Sequence, residues 1–421
     1  MSQGKDLNGG GAQLSDFLAV SLLARVYPRA VVDQILTLEG VNSKRVRAFP
    51  ALAGVYYCMG LSLYPEQSYE AVFTAISQGL AWGSTSGHSG SGVVKSAISK
   101  VRTKLGSAPL ERLARQCCVP LAHIQRHPHA FFAGRRVVAI DGSTLELADE
   151  RANVAAFGYP GSRTGQTAYP HARCAVLVEC ATHAVLSANI GPYNTSEWQV
   201  CQPLLKCLDP SMLCLADRGF NGFAAWQAAR ATGAQLLWRV AKDRQLPMIK
   251  RLGDGSYLSK IVPSKRNPIE PNNTKAFSQP SRDPTQAITV RVIEYELPNH
   301  AERYRLVTSL LDEIEAPGEQ LAALYHQRWQ VEAVFDELKT HLVNGRRVLR
   351  SKTPQLVRQE FYGWVLAHFA VRWLMHEAAD HARLRQDELS FTAHVNLLKQ
   401  SLPLSGAFPP RAKRKAPALV A

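Results

Sequence analysis

The sequence predicts an α/β protein built on a mixed-direction sheet, preceded by an all-α segment, carrying a β-rich insertion and followed by further helices. Three observations carry that expectation. Apolar residues recur at helical spacing from Leu14 to about Ile76 and again through 354–402. Between these stretches lie short apolar runs bounded by turn residues, first in succession and then alternating with helical segments. Two of the runs end at an acid: Val137-Val-Ala-Ile-Asp141 and Met212-Leu-Cys-Leu-Ala-Asp217.

In chain order, residues 1–13 are Gly-rich and expected to be disordered. Leu14, Phe17, Leu18, Ser21, Leu22 and Arg25 share one helical face, which Val31, Ile35 and Leu38 continue. Ala51 to Leu63 reads as a helix closed by the Tyr64-Pro65 break. Tyr69, Val72, Phe73 and Ile76 mark the next helix. Gly83 to Gly92 is a Gly/Ser linker that lacks P-loop spacing. Val93 to Leu105 predicts a helix carrying Lys95, Lys100, Arg102 and Lys104. Those four suit either a helix-turn-helix reader on DNA or a solvated basic face. Residues 14–130 are therefore expected to form a helical DNA-binding domain.

A second domain is expected over 131–350. Ala172 to Glu179, Ala184 to Ile190 and Gln235 to Val240 join the two acid-ended runs as strands. Ser196 to Leu208 predicts a helix with Ser196 as N-cap and Glu197 in its first turn. Gly222 to Thr232 predicts another. Residues 242–303 hold seven of the 24 prolines and read as the β-rich insertion, with a mobile loop at 264–286 and a strand over Ala287 to Leu297. Tyr304 to Leu311 returns to strand. Residues 351–421 form a C-terminal helical region with a basic tail at Arg411, Lys413, Arg414 and Lys415.

The totals narrow the partners. A formal charge of +15 over 421 residues points to a polyanion, nucleic acid first. No run is long and apolar enough to span a bilayer: Phe361 to Met375 is interrupted by His368 and Arg372 and reads as a buried helix. The N-terminus lacks the regions of a signal peptide. Eight cysteines form no CxxC pair and are expected as reduced thiols in a cytoplasmic protein. His123, His127 and His129, and likewise His368, His376 and His381, lack a zinc spacing and are read as structural or surface residues.

Residues 325–339, Tyr-His-Gln-Arg-Trp-Gln-Val-Glu-Ala-Val-Phe-Asp-Glu-Leu-Lys, contain no Pro or Gly and read as one helix. Tyr325, Arg328, Glu332 and Lys339 fall at offsets 0, 3, 7 and 14, on one face. Alone, such a stripe is an ordinary solvated face. Set after Asp141 and Asp217, it offers a third carboxylate. Three converging carboxylates suit two divalent ions that cut DNA by activating water and neutralising the leaving oxygen. Helical geometry leaves Asp336, at offset 11, and the adjacent Glu337 open as rivals to Glu332.

Asp141-Gly-Ser-Thr, Asp217-Arg-Gly-Phe and the Tyr325, Arg328, Glu332, Lys339 spacing resemble the three signature regions of insertion-sequence DDE transposases, in the family named after insertion element four. The stretch Arg47 to Phe73 resembles that family's N-terminal domain, and Leu349 to Glu360 with Leu389 to Ala393 resemble its C-terminal helices. The resemblance implies an RNase H-like core and cut-and-paste transposition. It assigns Asp141, Asp217 and Glu332 as catalytic ligands of Mg²⁺, two ions with Mn²⁺ as a substitute, and selects Glu332 over Asp336. It makes Tyr325, Arg328 and Lys339 contacts to the DNA-end phosphates; Arg218, beside Asp217, suits either a further phosphate contact or a salt bridge. The partners implied are double-stranded inverted-repeat ends and target DNA, met by a homodimer and without a membrane, in a bacterial cytoplasm and on the nucleoid. A non-catalytic DNA-binding derivative and a different RNase H-like nuclease are the alternative readings.

Overall fold

A computed structural model describes residues 14–43, 49–81, 94–162, 165–220, 222–241, 244–263, 287–296, 303–345 and 348–399. The Gly/Ser linker at 83–92, the loop at 264–286, the N-terminal 1–13 and the basic tail lie outside the described residues.

Six helices come first: α1 (Leu14–Val26), α2 (Arg29–Leu38), α3 (Ala51–Leu63), α4 (Tyr69–Ala81), α5 (Lys95–Leu105) and α6 (Ala108–Cys117). Of these, α3 is buried on nearly every side, which its run Ala-Leu-Ala-Gly-Val-Tyr-Tyr-Cys-Met-Gly-Leu demands. It packs against α11 (Pro354–Ala382), the long C-terminal helix. Gly363 makes that contact close: a β-carbon there would stand 2.5 Å from the Cys58 carbonyl oxygen. The apolar run Phe361 to Met375, read from sequence as a buried helix, is the centre of α11. No helix among the described residues is long and apolar enough to cross a membrane.

The central sheet contains β1 (Arg135–Leu147), β2 (His171–Glu179), β3 (Val185–Pro192), β4 (Met212–Ala216), β5 (Gln235–Arg239), β6 (Tyr257–Ile261), β7 (Ile288–Glu296) and β8 (Arg303–Thr308). Their spatial order is β3-β2-β1-β4-β5-β8-β7-β6. The pairs β1–β4 and β4–β5 are parallel and the rest antiparallel. The first five strands, with the helices between and after them, make the RNase H-like core. Helices α7 (Glu197–Cys201) and α8 (Phe223–Arg230) fill the crossovers.

The β-rich insertion extends the core sheet: β8, which follows it, pairs with β5, and the insertion's β7 and β6 continue outward. Antiparallel pairing across the free edge of β5 satisfies its backbone groups, so the sheet simply continues. Within it, Arg291 is fully buried, donates to the Ala316 carbonyl at 2.6 Å and pairs with Asp254. Asp254 in turn accepts the Gly318 N–H at 2.7 Å, where α9 (Gly318–Tyr325) begins. The inserted strands thus fix the entry of the next helix.

The stretch 325–339, expected as one helix, departs from uniform α geometry. The helical path is continuous from Gly318 to His341. After α9 comes a 3₁₀ turn (His326–Trp329), then α10 (Gln330–Asp336), then a π turn (Glu337–His341). The π turn opens on Glu337, whose buried carboxylate accepts His368 Nε2 at 2.8 Å and Arg372 Nε at 2.9 Å and lies 3.0 Å from His183 Nδ1. Burial alone would raise this carboxyl, but hydrogen bonds from His183 and His368 and the Arg372 charge hold it well below the ordinary carboxylate range. Glu337 is therefore a tether from the signature helix to α11, not a metal ligand.

Substituting Glu337→Gln is expected to cost about 3–5 kcal/mol of stability at neutral pH, because it strands Arg372 in the interior. Glu337 has a depressed folded pKa, so its contribution is present above the unfolded value near 4.5 and drains away as pH falls below it. Urea unfolding of both proteins should show the gap narrowing below that pH. A gap independent of pH would contradict the tether.

Candidate active site

The site is built by register. In the parallel pair β1–β4, Arg136 faces Met212 and Ile140 faces Ala216, a constant offset of 76. Asp141 and Asp217 are separated by the same 76 positions, so they are the next pair in line. Here β4 stops, while β1 runs on to Leu147. Asp141 is thus in mid-strand and not at a strand end, as the apolar run suggested. The end of β4 is what opens space beside it. Its carboxylate is mostly buried, and Oδ1 accepts the Gly142 N–H at 2.8 Å. Burial pushes its pKa up to about 6. Glu197 and Asp217 add to the rise, against the Gly142 N–H and Arg328. Asp217 Oδ1 accepts the Arg218 N–H at 2.6 Å.

The third acid arrives from α10. Arg328, only 5% exposed, reaches Asp141 Oδ2 with Nη1 at 3.2 Å and Glu332 Oε1 with Nη2 at 2.9 Å. One guanidinium therefore joins the strand acid to the helix acid. Among the described residues its buried Nε has no hydrogen-bond partner. Asp336 is engaged elsewhere, 2.9 Å from His341, which separates it from Glu332.

The other predicted contacts divide into two groups. Lys95, Lys100, Lys104 and Arg218 are exposed, as a phosphate contact requires. Among the described residues Arg218 has no ion-pair partner. Arg102, Tyr325 and Arg328 are buried. Arg102 faces inward, donating to Gln359 Oε1 at 2.9 Å and Ser351 Oγ at 3.0 Å, so it joins α5 to α11 and does not present a charge to DNA. Helical spacing placed it among the basic residues, but it shares the inner face with Ile98 and Leu105. Tyr325 donates its hydroxyl to the Ala216 carbonyl at 3.3 Å, and Lys339 Nζ bonds Ser143 Oγ. The shared face predicted for Tyr325, Arg328 and Lys339 exists, but in this state it is turned onto β1 and β4.

Asp141, Asp217 and Glu332 would offer carboxylate oxygens, a hard donor set that suits an oxygen-preferring divalent ion better than a thiolate or imidazole metal. Among the described residues, the group of three whose ligand atoms lie within 4.8 Å of one another is His127, His376 and Asp380, whereas Asp141, Asp217 and Glu332 do not meet that spacing; sequence reading missed the first group because its members lie in separate histidine clusters. That first group suits a metal poorly. His127 Nδ1 accepts the His123 N–H at 2.9 Å, which leaves the proton on Nε2, 2.6 Å from Asp380. Asp380 also pairs with Arg126 at 2.8 Å. Glu197, beside both aspartate motifs, was read from sequence only as a first-turn acid.

The chain matches the family model described as a transposase DDE domain over residues 132–370. It also matches the model described as the insertion element 4 transposase N-terminal region over residues 18–115. It is 26% identical over 385 residues to the transposase InsG for insertion sequence element IS4 of Escherichia coli (strain K12), covering 90% of this chain and 83% of that protein. It is 28% identical over 129 residues to the putative transposase InsZ of the same organism, covering 30% of this chain and 43% of that one. Among solved structures it is similar to a piggyBac transposase synaptic complex with hairpin DNA, with a TM-score of 0.44 and 10% identity over 91% of this chain and 79% of that one.

Removing the bridging cation should expose the repulsion it balances. Arg328→Met is expected to lower the stability of metal-free protein by about 3 kcal/mol, with much of the loss recovered on adding a divalent ion. Calorimetric melting in chelator and in Mn²⁺ measures both. Equal loss in the two conditions would mean that Arg328 and the metal do not serve the same carboxylates.

Proposed function

The chain belongs to the DDE transposases, and from that premise we propose that it moves an insertion sequence through a Mg²⁺ centre held by Asp141, Asp217 and Glu332. The observation that carries the assignment is the β1–β4 register, which sets Asp141 beside Asp217, together with the Arg328 bridge that draws Glu332 to Asp141. Divalent ions bound there supply Lewis acidity at the scissile phosphate and a more acidic water.

The chain's own residues do the rest. The three carboxylates fix the ions on the sheet, and Asp141, short of full ionisation near pH 6, gives up its proton as they bind. Arg328, relieved of its carboxylates, becomes available to a phosphate oxygen, as does Lys339 on leaving Ser143. Tyr325 stays buried in this scheme and braces α9 against β4. Lys95, Lys100 and Lys104 on α5 and Arg218 after β4 are exposed and meet the DNA backbone. Water cleaves the phosphodiester at an inverted-repeat end to leave a 3′-hydroxyl and a 5′-phosphate, and that 3′-hydroxyl then attacks a target-DNA phosphodiester, displacing the target strand's own 3′-oxygen as the leaving group. Bringing two ends together requires a homodimer on the DNA. Its place is with the chromosome, in the cytoplasm of a bacterial cell.

Asp141→Ala, Asp217→Ala and Glu332→Ala should each abolish strand cleavage and joining on DNA carrying the element's own ends, while end binding survives. Cleavage at wild-type rates in any of them would remove that residue from the centre. Binding without cleavage by the unaltered protein under every divalent ion would instead identify a non-catalytic derivative. Replacing Lys95, Lys100 and Lys104 together with Ala should weaken end binding and flatten its salt dependence by roughly 0.9 in slope for each phosphate that is no longer neutralised. An unchanged slope would place the α5 lysines off the DNA.

A further inference from the structure

A fourth carboxylate lies against the two aspartate motifs. Ser196 caps α7 with a reciprocal capping box, its side chain accepting the Gln199 N–H and its own N–H donating to Gln199. Glu197 is therefore the first helical residue, and the cap fixes its direction. Its side chain crosses the glycine that follows Asp141 and the glycine two positions beyond Asp217. A β-carbon on Gly142 would stand 2.6 Å from Glu197 Oε1, and one on Gly219 would stand 2.8 Å from Glu197 Oε2. One carboxylate oxygen thus faces each motif, in space that only glycine leaves open.

Glu197 is half-buried, and among the described residues it has no hydrogen-bond or ion-pair partner. Arg328, which answers Asp141 and Glu332, does not reach it. A half-buried carboxylate set beside two others, without donor or counter-ion, is destabilising unless a cation meets it. A helix terminus does not explain the arrangement: a first-turn acid is stabilised equally well pointing into water. We propose that Glu197 is a fourth oxygen ligand of the divalent-metal centre, admitted by Gly142 and Gly219. This rests on reading Asp141 and Asp217 as ligands of that centre.

The inference also gives the two motif glycines a common purpose. Each would be there to let a side chain from α7 reach the metal, so a β-carbon at either should act through Glu197 and not through the backbone.

The test is binding, separate from catalysis. Mn²⁺ is titrated into the full chain without DNA, free ion being counted by electron paramagnetic resonance, and melting is followed in chelator. Glu197→Gln, which preserves shape, should weaken Mn²⁺ binding about tenfold or more and raise the melting temperature of the metal-free protein. Gly219→Ala should weaken binding in the natural background and add nothing in the Glu197→Gln background, since both act on one interaction. The inference is overturned if Glu197→Gln binds Mn²⁺ normally while Asp217→Asn loses it. It is equally overturned if Gly219→Ala and Glu197→Gln are additive. Normal binding in Asp217→Asn as well would overturn the parent assignment of the centre, a result distinguishable from failure of Glu197 alone.

Discussion

Like charges held close together are the constraint on which this structure turns. Register places Asp141 beside Asp217, α10 adds Glu332, and α7 adds Glu197. Burial raises the Asp141 carboxyl, and the Glu197 and Asp217 charges add to that rise. In the metal-free protein one buried guanidinium offsets part of this. Arg328 bridges Asp141 and Glu332 and lies 5.2 Å from the Trp329 ring centroid. Arg328 is thus one cation shared by a strand carboxylate and a helix carboxylate.

The rest of the fold serves to hold that helix still. Its entry is fixed by Arg291 and Asp254, its middle by Tyr325 on β4, and its exit by Glu337 among His183, His368 and Arg372. These anchors come from the inserted strands, the core sheet and α11 respectively. A side chain that must reach a strand acid through one guanidinium tolerates little drift, and three independent attachments remove the freedom to drift. The departures from α geometry on both sides of α10 sit at two of those attachments.

The sequence was most legible where one rule governed one element. Helical spacing found Ala51–Leu63, and the Ser196 cap was visible from residue type alone. The two aspartates were visible because each ends a short apolar run, while their adjacency came only with the β1–β4 register. What stayed hidden depended on partners far along the chain. Arg102 looked like its basic neighbours until α11 supplied Gln359 to bury it. Asp336 and Glu332 share a face by spacing, and sequence could not show that Glu332 pairs with Arg328 while Asp336 pairs with His341. Composition marked the insertion as β-rich but could not show which sheet edge its strands would join. Glu197 was seen but not understood, since nothing local reveals that two distant glycines leave room for it.

A crystal of the protein soaked in Mn²⁺ and measured at the manganese absorption edge tests the account most directly. Anomalous density should appear among Asp141, Asp217 and Glu332 at metal–oxygen distances of about 2.1–2.2 Å, with Arg328 withdrawn from both its carboxylates. Density at His127, His376 and Asp380 alone, or none at the aspartates with Arg328 still in place, would contradict it.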